Sequence, residues 1–426
     1  MGTFEGFHEI LCFNTGSGRL INIRSKELVF LDRTLSQLLY LDTARLGQAS
    51  PSAKRAIVSA LEFNQAYGAS AYFDDLLLSG SRNVDVARDF DGLSYWWGIK
   101  PLSVDIKETF FGTTHGELVF ASKTSSLMTL AAKMLFARCA NVLVTDLNWY
   151  PFNEILLHSP SMECRVSTVE IKQQIFDRSM CVDEVVEKIA SAFVDKKCDG
   201  IFLPAVCNWG IALPIAEILK SIHDRAEIRF SLLDAAQAIN HLDLMWAEDT
   251  VDFIFGGTHK WLRSYEPMAI GYFAKPSSRS YIQDTIDREL AGNPIADPLL
   301  RITQTSAPQK SETVNLCPLF ATAGALADVR NGELHARPDS VRDAVLNAAA
   351  STNWECFSPS TEFSSRILLM RNSQLPNALA GTIRKRFNGL GIAVTDYSSG
   401  ICRISIPDNI TELQADLLRD AFSKAA

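Results

Sequence analysis

The chain has 426 residues, 47% hydrophobic and 21% charged, with a net charge of −8 and a pI near 5.5. That length suits one large domain plus a smaller one, and the charged fraction is ordinary for a soluble globular enzyme. The acidic balance argues against a nucleic-acid binder or a protein of anionic membrane surfaces, since both need a basic face.

Nine cysteines are scattered without C-x-x-C spacing. They read as reduced thiols of a cytoplasmic protein and offer no zinc-ligand pattern, so no metal is expected. No apolar run approaches the roughly 20 residues of a membrane span, and the N-terminus lacks a signal-peptide pattern.

Residues 1–46 read as an arm that packs with a small C-terminal domain and carries a short strand at Leu38–Leu41. Pro51–Phe63 is a predicted helix, with Ser50 as N-cap and Pro51 at the first helical position. Strands and helices then alternate: strand Glu117–Ala121, helix Ser125–Ala137, strand Asn141–Thr145, helix Val182–Lys196 and strand Gly200–Pro204. Helix Pro214–His223 and strands Ile228–Leu233, Val251–Phe255 and Ile270–Ala274 complete the series. Short, continuous apolar strands between helices predict an α/β domain over 47–318 with a mostly parallel sheet covered on both faces. Residues 276–312 show no periodicity and read as irregular, before a helix at Asn315–Val329. Strands at Ser365–Met370, Ala393–Thr395 and Gly400–Ile406 and a helix at Thr411–Ala425 place a small α+β domain over 319–426.

Three segments fall at predicted strand ends, where doubly wound sheets bind ligands. Ala121-Ser-Lys-Thr-Ser-Ser126 joins a strand to a helix; its hydroxyls suit a phosphate, or simply cap the helix. Asp234 closes one apolar strand and is followed by Gln237, which alone would be a turn with a solvated amide. Thr258-His259-Lys260 follows the next apolar strand, and alone would be a surface lysine. Together, a carboxylate at one strand end and a lysine at the next are what an aldehyde cofactor with a basic ring nitrogen requires. The amine holds the cofactor as an imine, and the acid keeps the nitrogen protonated.

In these segments, and from Tyr40-Leu-Asp-Thr-Ala44 onward, the chain resembles the fold type I pyridoxal 5′-phosphate (PLP) enzymes of the class V aminotransferase group. That group includes cysteine desulfurases, kynureninases and isopenicillin N epimerases. The resemblance implies that Lys260 forms the imine and shuttles the substrate Cα proton, and that Asp234 pairs with the ring nitrogen. It implies that Gln237 bonds the ring 3′-oxygen and that His259, Thr124 and Ser125 bind the phosphate. Tyr150, in Trp149-Tyr-Pro-Phe-Asn153, aligns with the aromatic that stacks on the ring. Arg403 aligns with the residue that grips the α-carboxylate, with Asn208 beside it. Thr313 aligns with a residue that reaches the phosphate from the other subunit of a homodimer.

The chain departs from the family pattern in several places. Lys123 and Glu312 stand where relatives usually have Gly. Arg45 stands where they often carry small or amide residues near the substrate; it reads equally as a second anion site and as a loop charge. Only eight residues separate Val394 from Arg403. That leaves no room for the long loop bearing a desulfurase nucleophile, and Cys402 should face away from Arg403 on a strand. The reading is therefore a PLP enzyme acting on an amino acid, leaning to β-elimination at a sulfur-substituted cysteine (a C–S lyase of specialised metabolism). A class V aminotransferase, a decarboxylating deaminase and a non-catalytic binding module of the same fold stay open.

Overall fold

The computed structural model describes residues 39–68, 70–158, 164–293, 296–304, 314–332, 338–350 and 352–424. A seven-stranded sheet is built from β2 (Glu117–Ala121), β3 (Asn141–Thr145), β4 (Arg165–Val169), β5 (Gly200–Pro204), β6 (Phe230–Asp234), β7 (Phe253–Gly257) and β8 (Ala269–Phe273). The strand order is β2-β8-β7-β6-β5-β3-β4. All neighbours run parallel except β8, which is antiparallel to both β2 and β7.

Side chains divide alternately between the two faces, as the strand period requires. Leu118, Phe120, Leu143, Ile201, Leu203, Leu233, Ile254 and Ile270 enter one core. Val119, Ala121, Val142, Val144, Phe202, Leu232, Phe253 and Phe255 enter the other. Every strand residue from Val142 to Thr145, Gly200 to Pro204 and Phe253 to Gly257 is buried, which explains why these strands read as continuous apolar runs rather than alternating ones.

Two expectations are corrected. Residues 276–304 are not irregular: they hold helices Pro276–Gly292 and Pro298–Gln304. Pro276 occupies a first-turn position, and only Ile282, Ile286 and Leu290, four apart, are large and buried, so the apolar stripe is too thin to stand out among polar neighbours. The helix expected at Asn315–Val329 spans Cys317–Arg330, and its side chains join the core of the large domain. The boundary to the small domain therefore falls beyond Arg330, not near 318.

The small domain has a four-stranded sheet of β9 (Trp354–Cys356), β10 (Ile367–Asn372), β12 (Thr395–Asp396) and β13 (Ile401–Ser405). It has its own core, which includes Leu368, Met370, Cys402, Ile404 and Phe422. β1 (Leu39–Tyr40) pairs in parallel with β11 (Ile392–Ala393), and Leu39 and Leu41 enter the small-domain core. The chain then crosses to the large domain through residues 42–50. No helix among the described residues is long and apolar enough to cross a membrane.

This crossing segment is bolted to the turn after β7. The Gly47 amide donates to the His259 carbonyl (2.8 Å) and the Ser50 amide to the Arg263 carbonyl (2.9 Å). A Cβ on Gly47 would lie 2.1 Å from the Lys260 carbonyl oxygen. Gly47→Ala must therefore push the turn away, and should cost about 1–3 kcal/mol as overpacking. Gly292→Ala, which meets nothing within 4 Å, is the control. A melting temperature as little changed in the first variant as in the second would refute the close packing.

Candidate active site

The C-terminal ends of β5, β6 and β7 lie side by side, with Pro204 opposite Asp234 and Asp234 opposite Phe255. Asp234 is the last residue of β6; Lys260 sits in the turn that follows β7. Both line one cavity of about 410 Å³. So do Arg45, Thr124, Ser125, Asn208, Gln237, His259 and Arg403.

Burial sets the electrostatics. It pushes the Asp234 carboxyl up to about 6, against a hydrogen bond from the Ala236 amide and the charge of Lys260. It pulls the Lys260 amine down to about 8; Asp234 opposes this shift and Arg403 adds to it. Burial and then the charge of Lys260 lower His259 to about 4, so its ring is neutral at pH 7. The buried Nδ1 of His259 has no hydrogen-bond partner among the described residues.

Gln237 is held at both ends. Its amide N–H donates to the Ala44 carbonyl (2.8 Å), and its Oε1 accepts from Trp261 Nε1 (2.8 Å). One amide hydrogen remains free to donate into the cavity. Arg403 is buried, with its guanidinium 3.5 Å from Asp42 Oδ1 and 3.5 Å from Thr395 Oγ1, and it also donates to the Asn208 carbonyl at 3.4 Å. It is thus the backbone oxygen of Asn208 that meets Arg403, while the Asn208 side chain bonds Tyr397.

The helix Thr124–Arg138 opens on the cavity with no side-chain cap from Lys123; the Ser126 amide donates to the Lys123 carbonyl (3.1 Å), which leaves the Thr124 and Ser125 amides for another acceptor. Gly257 makes room beside it: a Cβ there would come within 2.7 Å of the His259 ring and 3.2 Å of Thr124 Oγ1.

Tyr150 is not brought to the cavity. It is 70% exposed and bonds Glu154 one turn along its own helix. Trp149 lines the cavity instead. The helix begins at Tyr150 with Pro151 in its first turn, so Trp149 keeps an extended backbone and leaves in a different direction. Thr313 lies outside the described residues, so its expected contribution across a dimer interface has no counterpart here. No His, Cys, Asp or Glu cluster able to hold a metal occurs among the described residues.

Two residues escaped the sequence reading. Asp42 anchors Arg403 and accepts from Thr395 Oγ1 (2.6 Å). His241 ties the domains together: its Nδ1–H donates to the Gln237 carbonyl (2.5 Å) and its Nε2 accepts from the Arg366 amide (2.9 Å). Its ring packs on Trp261 at 4.2 Å. Asp42 lies within the Asp-Thr-Ala stretch already noticed, but nothing in the sequence marks His241, because the Arg366 amide it receives comes from a segment 125 residues away.

Comparison with solved structures supplies the fold class. The cysteine desulfurase of Thermococcus onnurineus NA1 is 14% identical, with a TM-score of 0.65 over 91% of this chain and 94% of that one. The ureidoglycine–glyoxylate aminotransferase of Bacillus subtilis is 14% identical, with a TM-score of 0.63 over 91% and 92%. A C-DES variant with glycine covalently linked to its PLP cofactor is 12% identical, with a TM-score of 0.63 over 92% and 97%. The chain thus has the fold type I architecture, of the kind seen in class V aminotransferases and cysteine desulfurases. No protein-family model and no curated protein matches it.

The buried histidines fix an acid response. His241, lowered to about 3 chiefly by burial, and His259, at about 4, both lie below the ordinary 6.5. The unfolded chain therefore takes up protons that the folded one refuses; stability is full above pH 6.5 and falls as pH drops toward 4 and below. Asp234 acts in the opposite sense, because its raised value makes the folded chain bind more proton between about 4 and 6. Melting curves of ligand-free protein should show His241→Gln flattening the acid loss and Asp234→Asn steepening it. Identical pH slopes in all three proteins would contradict this assignment.

Proposed function

We propose that the cavity binds pyridoxal 5′-phosphate and that the protein is a PLP-dependent enzyme acting on an amino acid. The observation that carries this reading is Lys260 and Asp234 sharing one buried cavity from adjacent strand ends, the amine lowered to about 8. A non-catalytic module has no use for a lysine so placed.

The donor set fits the cofactor. Lys260 would hold the aldehyde, Asp234 the ring nitrogen, and the free N–H of Gln237 the phenolic oxygen. A phosphate meets the open helix N-terminus, the Thr124 and Ser125 hydroxyls and the unpartnered His259 ring, in the gap that Gly257 leaves. Trp149 offers the aromatic face first expected of Tyr150. The volume lies in the roughly 300–1,000 Å³ range of small-molecule sites. When bound, PLP supplies an electron sink that weakens the bonds at the substrate Cα.

The protein does the rest. Lys260, with its pKa near neutrality, takes the Cα proton as a neutral amine and returns it. Arg403 receives the α-carboxylate with its fork, held in place by Asp42 and Thr395. Asp234 would be kept ionised by a cationic ring nitrogen, against the effect of its burial.

For the outcome we propose β-elimination at a sulfur-substituted L-cysteine, by analogy with the Cβ–S cleaving members of the class V group. Two features weigh against a persulfide-forming desulfurase. Cys402 faces the small-domain core, on the opposite face of β13 from Arg403. Cys207, which does line the cavity, has its thiol pushed up to about 11 by burial and is a poor nucleophile. Transamination by a class V aminotransferase, or decarboxylating deamination, is the runner-up.

The test is direct. Purified protein should absorb visible light as a lysine–PLP adduct, and borohydride should attach the cofactor permanently to Lys260, read by peptide mass; Lys260→Ala should abolish both. A colourless protein that takes up no PLP ends the proposal. Incubation with amino acids and S-substituted cysteines then separates the outcomes. Pyruvate plus thiol means elimination, a 2-oxo acid plus pyridoxamine phosphate means transamination, and an aldehyde with carbon dioxide means decarboxylation. Trp149→Ala should weaken PLP retention by roughly tenfold as a lost aromatic contact, while Tyr150→Ala should leave it unchanged. Equal retention in both variants would remove Trp149 from the site.

A further inference from the structure

We propose that the amino acid accepted by this site carries a second negatively charged group on its side chain, and that Arg45 receives it. The proposal rests on the cofactor reading above and goes beyond it by naming the substrate class.

The cavity wall carries four basic side chains, Arg45, Lys123, Lys260 and Arg403, against one carboxylate, Asp234. Three of the four have an assigned counterpart. Lys260 lies beside Asp234. Lys123 precedes the first turn of the helix proposed to hold the phosphate. Arg403 is paired from behind with Asp42 and faces the α-carboxylate. Arg45 has none: its side chain is exposed, and its guanidinium makes no hydrogen bond or ion pair among the described residues. A neutral amino acid would leave this guanidinium unmatched, whereas one with a second carboxylate, sulfinate or phosphonate would pair with it.

The backbone around Arg45 is fixed where such a group would arrive. The amide of Ala44 donates to Ser405 Oγ (2.8 Å), and the carbonyl of Ala44 accepts from Gln237 Nε2 (2.8 Å). Ser405 lies two residues beyond Arg403 on β13, on the same face of that strand. Arg45 therefore follows a residue, Ala44, that is bonded to Gln237 on one side and to the strand of Arg403 on the other. Asp42 sets the spacing of the two arginines: its carboxylate holds Arg403, and its carbonyl accepts from the Arg45 amide (2.9 Å). The planar fork of Arg45 suits bidentate capture of an oxyanion.

The experiment uses the PLP-loaded protein and reads its visible spectrum during titration with L-aspartate, L-glutamate and L-cysteine sulfinate against L-asparagine, L-glutamine and L-alanine. At least one acidic amino acid should bind about tenfold or more tightly than its neutral counterpart, as a charge-assisted hydrogen bond predicts. That ratio, rather than either affinity alone, should collapse in Arg45→Gln and be partly kept in Arg45→Lys, which retains the charge without the fork. Acids and amides binding alike, no response to any acid, or a ratio that survives Arg45→Gln overturns the proposal. A ratio lost only in Lys123→Gln also overturns it, by moving the second anion to the phosphate end. Failure of the cofactor reading is seen separately, as a missing visible band before any amino acid is added.

Discussion

Lys260 and Asp234 are each disfavoured in charged form where they stand. Removing an amine or a carboxylate from water favours its neutral state, and here the two shifts converge, one value falling to about 8 and the other rising to about 6. Each group opposes the shift of the other, so neither is an independent feature. The scaffold that holds them is correspondingly stiff. β6 and β7 are central, fully buried strands, and the turn bearing Lys260 is clamped by the segment 47–50 from outside. A reactive pair needs this arrangement, because a base displaced by an ångström from its carbon acid loses much of its effect.

The small domain reaches the same pair through one face of one strand. On β13, Cys402 and Ile404 fill the small-domain core, while Arg403 looks into the cavity and Ser405 holds Ala44. Sheet alternation therefore joins fold and chemistry within five residues: one register builds a core and the other builds a site. His241 makes a second bridge, between Gln237 in the large domain and Arg366 in the small one. Both bridges end on residues of the cavity, so the relative position of the domains and the shape of the site are set together.

Much of this was legible in the sequence because the informative residues sit at strand ends. Continuous apolar strands located β2, β3 and β5 at their observed bounds, and the residues just past β6 and β7 then had to converge. What stayed hidden depends on direction or distance rather than composition. Trp149 and Tyr150 are adjacent aromatics, and only the start of a helix between them decides which one turns inward. His241 and Asp42 act on partners more than 100 residues away, Arg366 and Arg403. The helix Pro276–Gly292 was missed because its buried stripe is a single row of three side chains. The resemblance added roles to positions, and the fold type I architecture agrees with it.

The order of strands also governs how the chain is made. Among the described residues β2 is an edge strand whose one sheet partner, β8, is synthesised about 150 residues later, and the helix Pro51–Tyr67 packs on Cys317–Arg330, later still. At ribosomal speeds of roughly 5–20 residues per second, β2 waits on the order of ten seconds for its partner. Through that interval Leu118, Val119 and Phe120, all buried in the finished sheet, stand on an unpaired strand. An antiparallel strand inserted between β2 and β7 thus makes the nascent chain dependent on what shields an apolar edge during translation, and ties yield to the rate of synthesis as much as to the stability of the finished protein.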